Sequence, residues 1–147
     1  MSKRYYSLGL MSGTSMDGID ASIIKSDGEK TLKIIDNIYL KYDNELKSDL
    51  NKIIDSCFSR NDFKKLHKNI KKIEEKITLK HAEICELIKN KNKNIKIDII
   101  GFHGQTILHR PNKGYSIQIG NSKLLSKITK LAVVSNFRDN DIINGGQ

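Results

Sequence analysis

The sequence predicts an α/β domain in which a mixed sheet opens on an antiparallel β-meander and carries packed helices. Three observations support this. Short β-rich runs separated by tight-turn signals occupy the stretch from Tyr5 to Tyr42. An apolar stripe with alternating spacings of three and four then runs from Phe63 to Ile88. Strand character returns beyond the polar connector Asn90–Asn94.

In chain order, Tyr5–Leu10 is the first β-rich run and stops in the small, polar stretch after Met11. Ile19–Ile24 follows, then the turn signal Ser26-Asp27-Gly28-Glu29, then Leu32–Tyr42. Tight turns between consecutive runs make neighbouring strands antiparallel. Leu46, Leu50, Ile53, Ile54 and Cys57 form the apolar face of a first helix. Asn61-Asp62 is expected to cap a second, built on Phe63, Leu66, Ile70, Ile73, Ile77, Ile84 and Ile88, with His81 on the same stripe. Such a stripe also suits a coiled coil. Its interruption at His81 and the flanking strands favour a helical hairpin lying on the sheet. Further strands are expected at Ile97–Phe102 and Tyr115–Ile119. Asn121-Ser122 caps a short helix through Lys130, and a last strand is expected at Leu131–Ser135. The order is β-β-β-α-α-β-β-α-β, without internal repeats.

The 147 residues suffice for one domain with its own core. A composition of 37% hydrophobic and 29% charged residues excludes both a membrane protein and a disordered chain. No apolar run approaches the roughly 18 residues that span a bilayer, and Met1–Gly9 lacks the apolar core of a secretory signal. Cys57 and Cys85 are too few for a disulfide framework or a zinc site. A reduced, cytoplasmic protein is expected. The formal charge of +9 comes from 22 Lys against 4 Arg, alongside 23 Ile and 13 Asn. These residues share A/T-rich codons, so coding bias accounts for all three excesses. A reader of phosphates or base edges would use more Arg. The lysines therefore read as solvated surface rather than a nucleic-acid interface.

Three clusters carry chemistry. In Met11–Asp20 a strand feeds a turn built from Gly13 and Gly18, with Ser12 just before them and Thr14, Ser15 and Asp17 between them. Glycines let backbone amides approach a ligand, and successive amides and hydroxyls form an anion-binding concavity. An Asp there suits a phosphate only with a cation such as Mg²⁺, bound through its waters, between the two. The loop has neither the Gly-Lys-Ser/Thr ending of a Walker A motif nor a Gly-x-Gly-x-x-Gly fingerprint. Its density of small polar residues exceeds what a two-residue hairpin turn requires.

The second cluster, Gly101–Pro111, lies at the carboxyl end of a predicted strand, where α/β sheets tend to place ligands. His103, Gln105 and Thr106 supply donors and acceptors around Gly104, a set suited to a sugar's hydroxyl and amide groups. No carboxylate is present to suggest zinc. A structural role for this cluster is an equal alternative on its residues alone. The third cluster is Ser135–Asp141, read as a charged turn after the last strand, in which Arg138 can clamp a phosphate or carboxylate.

Taken together, these stretches resemble the anhydro-N-acetylmuramic acid kinase family. The matching segments are 9–20 (GLMSGTSMDGID), 101–111 (GFHGQTILHRP), 117–121 (IQIGN) and 135–147 (SNFRDNDIINGGQ). The resemblance implies one lobe of an actin/hexokinase/Hsp70-like, ribonuclease H-like fold, with ATP held between two lobes. It implies a cytoplasmic kinase of peptidoglycan recycling. Such an enzyme opens the 1,6-anhydro ring with water and phosphorylates O6 from Mg-ATP, giving N-acetylmuramic acid 6-phosphate. Residue by residue, it implies ATP-phosphate binding at Gly13, Thr14, Ser15, Met16, Asp17, Gly18, Ile19 and Asp20, with Asp17 organising Mg²⁺ through water. Substrate contacts fall to His103, Gln105, Thr106 and Arg138.

Two departures from the family pattern qualify this. Asn136 stands where the family usually has Asp, which replaces a charge by a neutral hydrogen-bonding group. Family members are also more than twice this length, and their general base is expected beyond Gln147. The expectation is therefore an N-terminal lobe over residues 1–147, without the C-terminal lobe and inactive alone. The full-length protein is expected to bind an amino sugar, with a homodimer as one arrangement and neither nucleic acid nor membrane as partner. The alternative is a non-catalytic sugar- or nucleotide-binding module.

Overall fold

The computed structural model describes residues 3–146, without the side chain of Asn140. The meander forms as expected: β1 (Tyr5–Ser12), β2 (Gly18–Ser26) and β3 (Leu32–Lys41) pair antiparallel in sequence order. Strand alternation sends Leu8, Leu10 and Ser12 of β1, and Ile19, Ala21 and Ile23 of β2, into the interior. In the β2–β3 turn the Asp27 carboxylate accepts the amides of Glu29, Lys30 and Thr31 at 2.9–3.1 Å, and Gly28 takes a positive φ of 81°.

The helical region differs from expectation in two respects. Helix α1 (Asn44–Ile54) is followed by two helices rather than one, α2 (Arg60–Lys65) and α3 (His67–Lys91), which break at Leu66. The cap of α2 is Ser59, earlier than the expected Asn61-Asp62. Its Oγ accepts the Asp62 amide at 3.2 Å and donates to the Asp62 carboxylate at 2.8 Å, while that carboxylate also takes the Phe58 amide. This reciprocal arrangement resembles a capping box, with Asp in the fourth position. Ser59→Ala should lower stability by about 1 kcal/mol in a urea titration, the usual worth of an N-cap. An unchanged midpoint would show that the α2 turn is held by packing alone.

The second difference is at His81, where α3 is continuous. The imidazole is wholly buried, its Nδ1 donates to the Ile77 carbonyl at 2.8 Å, and its ring meets Phe102 edge-on with centroids 4.9 Å apart. His81 breaks the pattern of apolar letters without breaking the buried stripe.

The next strand does not end at Phe102. Strand β4 (Ile99–Arg110) passes straight through the predicted ligand loop. Its first half is parallel to β1, and its second half is antiparallel to β5 (Tyr115–Ile119). Where Leu10 and Ser12 face Phe102 and Gln105, β4 carries one extra residue, a β-bulge at His103-Gly104. Gly104 has φ +74°, and a Cβ there would lie 2.6 Å from the Ile119 carbonyl oxygen, so glycine is required.

Asn121 caps α4 (Ser122–Thr129) as expected, accepting the Leu124 amide at 2.9 Å. Strand β6 (Ala132–Val134) then runs parallel to the first half of β4. The expected turn over Ser135–Asp141 is instead a helix, α5 (Phe137–Ile143), entered through Asn136 at φ +64°.

The sheet order is β3-β2-β1-β4-β5, with β6 beside the first half of β4. One face carries α1, α3 and α4, and Leu8, Ile23, Leu50, Ile77, Ile88, Ile100 and Leu125 meet there in a continuous core. Ile100 and Phe102 belong to that core, whereas the intervening Gly101 meets Phe137 of α5 on the opposite face. This mixed sheet, with an antiparallel edge and parallel β1, β4 and β6, is the single actin/hexokinase-like lobe that the resemblance implies. Among the described residues, no helix is long and apolar enough to cross a membrane.

Candidate functional site

The β1–β2 connection and the bulge of β4 lie side by side, because β1 and β4 are parallel neighbours. The exposed part of the connection is Gly13–Asp17. Its turn closes through the Met16 amide donating to the Gly13 carbonyl at 3.2 Å, with Met16 at φ +53°. Thr14 and Ser15 face solvent. The last three residues of the predicted segment belong to β2. Gly18 and Ile19 are buried, while Asp20 is exposed on the strand, opposite Met11 and Tyr39. A Cβ on Gly18 would collide with the Leu40 carbonyl and the Tyr39 ring, so this glycine serves strand packing.

Asp17 stands at the loop's exposed end. The Lys47 ammonium, from the first turns of α1, lies 2.5 Å from its carboxylate and, by hydrogen bond and charge, holds its pKa below the usual carboxylate range. The Asp17 carbonyl accepts the Tyr42 amide at 2.9 Å, which ties the loop to the end of β3.

Two buried side chains join this loop to β4. Ser12 Oγ donates to the Gly104 carbonyl at 3.1 Å, and Gln105 Nε2 donates to the Gly13 carbonyl at 2.7 Å. Gln105 is wholly buried, with a second bond from Nε2 to the Thr106 carbonyl, and its Oε1 has no hydrogen-bond partner among the described residues. Thr106 is also buried. These two residues therefore point inward, and Gln105 is placed to position the loop.

His103 and Arg138 come together from β4 and α5. Arg138 Nε donates to His103 Nε2 at 3.4 Å, and His103 Nδ1 donates to the Gly104 carbonyl at 3.1 Å. That arrangement fixes the tautomer with the proton on Nδ1. A cavity of about 180 Å³ opens here, lined by Phe102, His103, Gln118, Asn136 and Arg138. A shallower groove of about 730 Å³ on the open sheet face shares His103 and Phe137 with it, and adds Gly9, Gly101, Asp20 and Tyr39. The smaller cavity carries the donors of Gln118, Asn136 and Arg138, and the groove beside it is mostly apolar.

A family model described as anhydro-N-acetylmuramic acid kinase matches residues 4–147. The chain belongs to this family. Similar proteins carrying that name include one from Pelagibacter ubique, 51% identical over the whole chain, and one from Gluconobacter oxydans, 37% identical over 97% of it. One from Rhizobium etli is 37% identical over 95% of the chain. The chain spans about two-fifths of these relatives, 39%, 38% and 38% of their lengths respectively. The kinase family match covers all three clusters.

The sequence marks Ser12 only as one of the loop's small polar residues, and does not single out Lys47, Phe102 or Glu74. Glu74 accepts the amide of Gly120, beside the cavity, at 3.1 Å, and the neighbouring Thr78 hydroxyl accepts that of Asn121 at 3.0 Å. Ser12 sat inside a recognised segment, but its inward role depends on strand register. Lys47 and Glu74 are ordinary charged letters on helices, and only the tertiary fold gives them their positions.

Proposed function

We propose that residues 1–147 form the N-terminal lobe of an ATP-dependent kinase acting on 1,6-anhydro-N-acetylmuramic acid. Water adds across the C1–O6 bridge, the freed O6 takes the γ-phosphoryl group of ATP, and the products are N-acetylmuramic acid 6-phosphate and ADP. The observation that carries this reading is the pair of buried links, Ser12 to Gly104 and Gln105 to Gly13. They hold an anion-type loop next to a sugar-type hollow, the juxtaposition that phosphoryl transfer to a hydroxyl demands.

In this reading the Gly13–Asp17 amides and hydroxyls bind the nucleotide's phosphates. Gly18, Ile19 and Asp20 act through the strand that ends the loop. His103 and Arg138 contact the sugar, Arg138 through its guanidinium toward the lactyl carboxylate or the phosphate. Gln105 holds the loop against β4, and Thr106 is buried and lines neither hollow. Asp17 fits the water-mediated role toward Mg²⁺, being ionised, half-exposed and beside the Ser15 hydroxyl, while Mg²⁺ itself keeps several waters and few carboxylates. Bound with the nucleotide, Mg²⁺ would neutralise charge on the terminal phosphates. Because phosphoryl transfer draws on groups from two lobes, the chain alone should release ADP only at background in a coupled assay.

Asp17→Asn tests the assignment. It keeps shape and hydrogen bonding but removes the charge. Mg-dependent ATP affinity should weaken by about tenfold, the worth of one charge-assisted contact. The thermal midpoint should hardly move, since an exposed ion pair contributes little to stability. Unchanged affinity beside a lowered midpoint would reduce Asp17 to a turn residue.

A further inference from the structure

We propose that Lys47 is the phosphate-binding cation of the Gly13–Asp17 loop, an inference that rests on reading this loop as the nucleotide-phosphate site. Within the loop the single charged residue is Asp17, an acid, and the Gly-Lys-Ser/Thr ending that would supply a lysine is absent. A triphosphate arriving there meets a carboxylate first. The fold corrects the imbalance from thirty residues away, placing the Lys47 ammonium 2.5 Å from that carboxylate.

This placement is built rather than incidental. The Asp17 carbonyl takes the Tyr42 amide, Asp43 caps α1 through the Leu46 amide, and the Lys47 amide donates to the Asp43 carbonyl. Two backbone bonds and one side-chain cap thus fix the first turns of α1 against the loop. Buried Leu46 and Leu50 anchor that helix in the core. Nearby lysines on this side are engaged elsewhere: Lys76 with Glu45 and Asp49, and Lys80 with Asp43 and Glu83. Lys41 is a further, weaker electrostatic neighbour of Asp17.

The side chain of Lys47 remains about two-fifths exposed, so its ammonium is reachable from solvent. An ammonium has three donors. One suffices to keep Asp17, leaving others for phosphate oxygens. Lys47 would thus serve the charge role of a P-loop lysine, although it reaches the loop from a helix beyond the next two strands.

The experiment is an amide-resolved NMR titration of the 16.7 kDa chain, which detects even millimolar binding, with Mg-ATP, Mg-tripolyphosphate and AMP as probes. For the parent chain, ATP and tripolyphosphate should shift the Gly13–Asp17 amides, whereas AMP should not. Lys47→Met keeps the apolar stem and should weaken both polyphosphates about tenfold, while Lys47→Arg restores them to within about threefold. Dispersed spectra and thermal midpoints establish that the variants are folded. Equal or tighter ATP binding by Lys47→Met, with the loop shifts retained, overturns the proposal alone, since Lys47 would then only neutralise Asp17. Absence of loop shifts in the parent chain overturns the phosphate-loop reading and this inference with it.

Discussion

Gln105→Glu is expected to lower stability by about 3–5 kcal/mol at pH 7, the range for an unpaired charge in a protein interior. Nε2 of Gln105 donates to two carbonyls, Gly13 and Thr106, inside the protein. A carboxylate there would face two acceptors without compensating donors. The variant must therefore hold a proton, with its folded pKa raised above the ordinary Glu value. A raised acid pKa gives stability that is present at low pH and lost as pH rises, so the deficit should be smaller at pH 5 than at pH 7. Gln105→Leu behaves differently. It removes both hydrogen bonds of Nε2, but the Gly13 carbonyl keeps the Met16 amide and a buried Oε1 without a partner among the described residues disappears. Its stability cost should be about 1 kcal/mol. What Leu does lose is the tie between loop and strand, so Mg-ATP affinity should fall while affinity for the anhydro-sugar stays close to the parent's. If the sugar's affinity fell instead and ATP's did not, Gln105 would be a substrate contact, as its sequence context suggests.

That contrast shows where the sequence was informative. Asp27-Gly28 and the small residues after Met11 are local signals, and local signals fix turns, so the meander was readable. The turn after β1 was readable for the same reason, although its boundary was not. Gly18 looks like a ligand-facing glycine until Tyr39 is seen packed against it from the next strand. The polar run His103–Thr106 resembles a loop because polar letters in succession erase the period of two. In the fold they occupy a bulged strand, where the extra residue at His103-Gly104 resets which side chains face inward. Helix α5 was hidden because Asn136-Phe137-Arg138-Asp139-Asn140-Asp141 is poor in strong helix formers. The Lys47–Asp17 and Arg138–His103 encounters join residues 30 and 35 positions apart, beyond any periodic pattern.

His81 should make the fold acid-sensitive in a window of its own. Burial lowers its pKa from 6.5 to about 4, against a smaller opposing effect of the bond to the Ile77 carbonyl. His103 also disfavours its protonation. Between pH 6.5 and 4 the unfolded chain takes up a proton that the folded chain refuses. Stability from this group is therefore complete above about pH 6.5 and drains away as pH falls toward 4. The gap corresponds to about 3 kcal/mol, a large share of a small domain's total. Urea titrations at pH 7.0, 5.5 and 4.5 should show a progressive loss of that order. The carboxylates held below their ordinary pKa, Asp17, Asp27, Asp36, Asp49 and Asp62, contribute mainly below pH 4 and leave this window to His81. His81→Leu suits the apolar surroundings of Phe102 and Ile77 and cannot be protonated. It should flatten stability between pH 4.5 and 7. A variant that loses stability with acid as steeply as the parent would show that another group governs the transition and that His81 is protonated inside the fold at little cost.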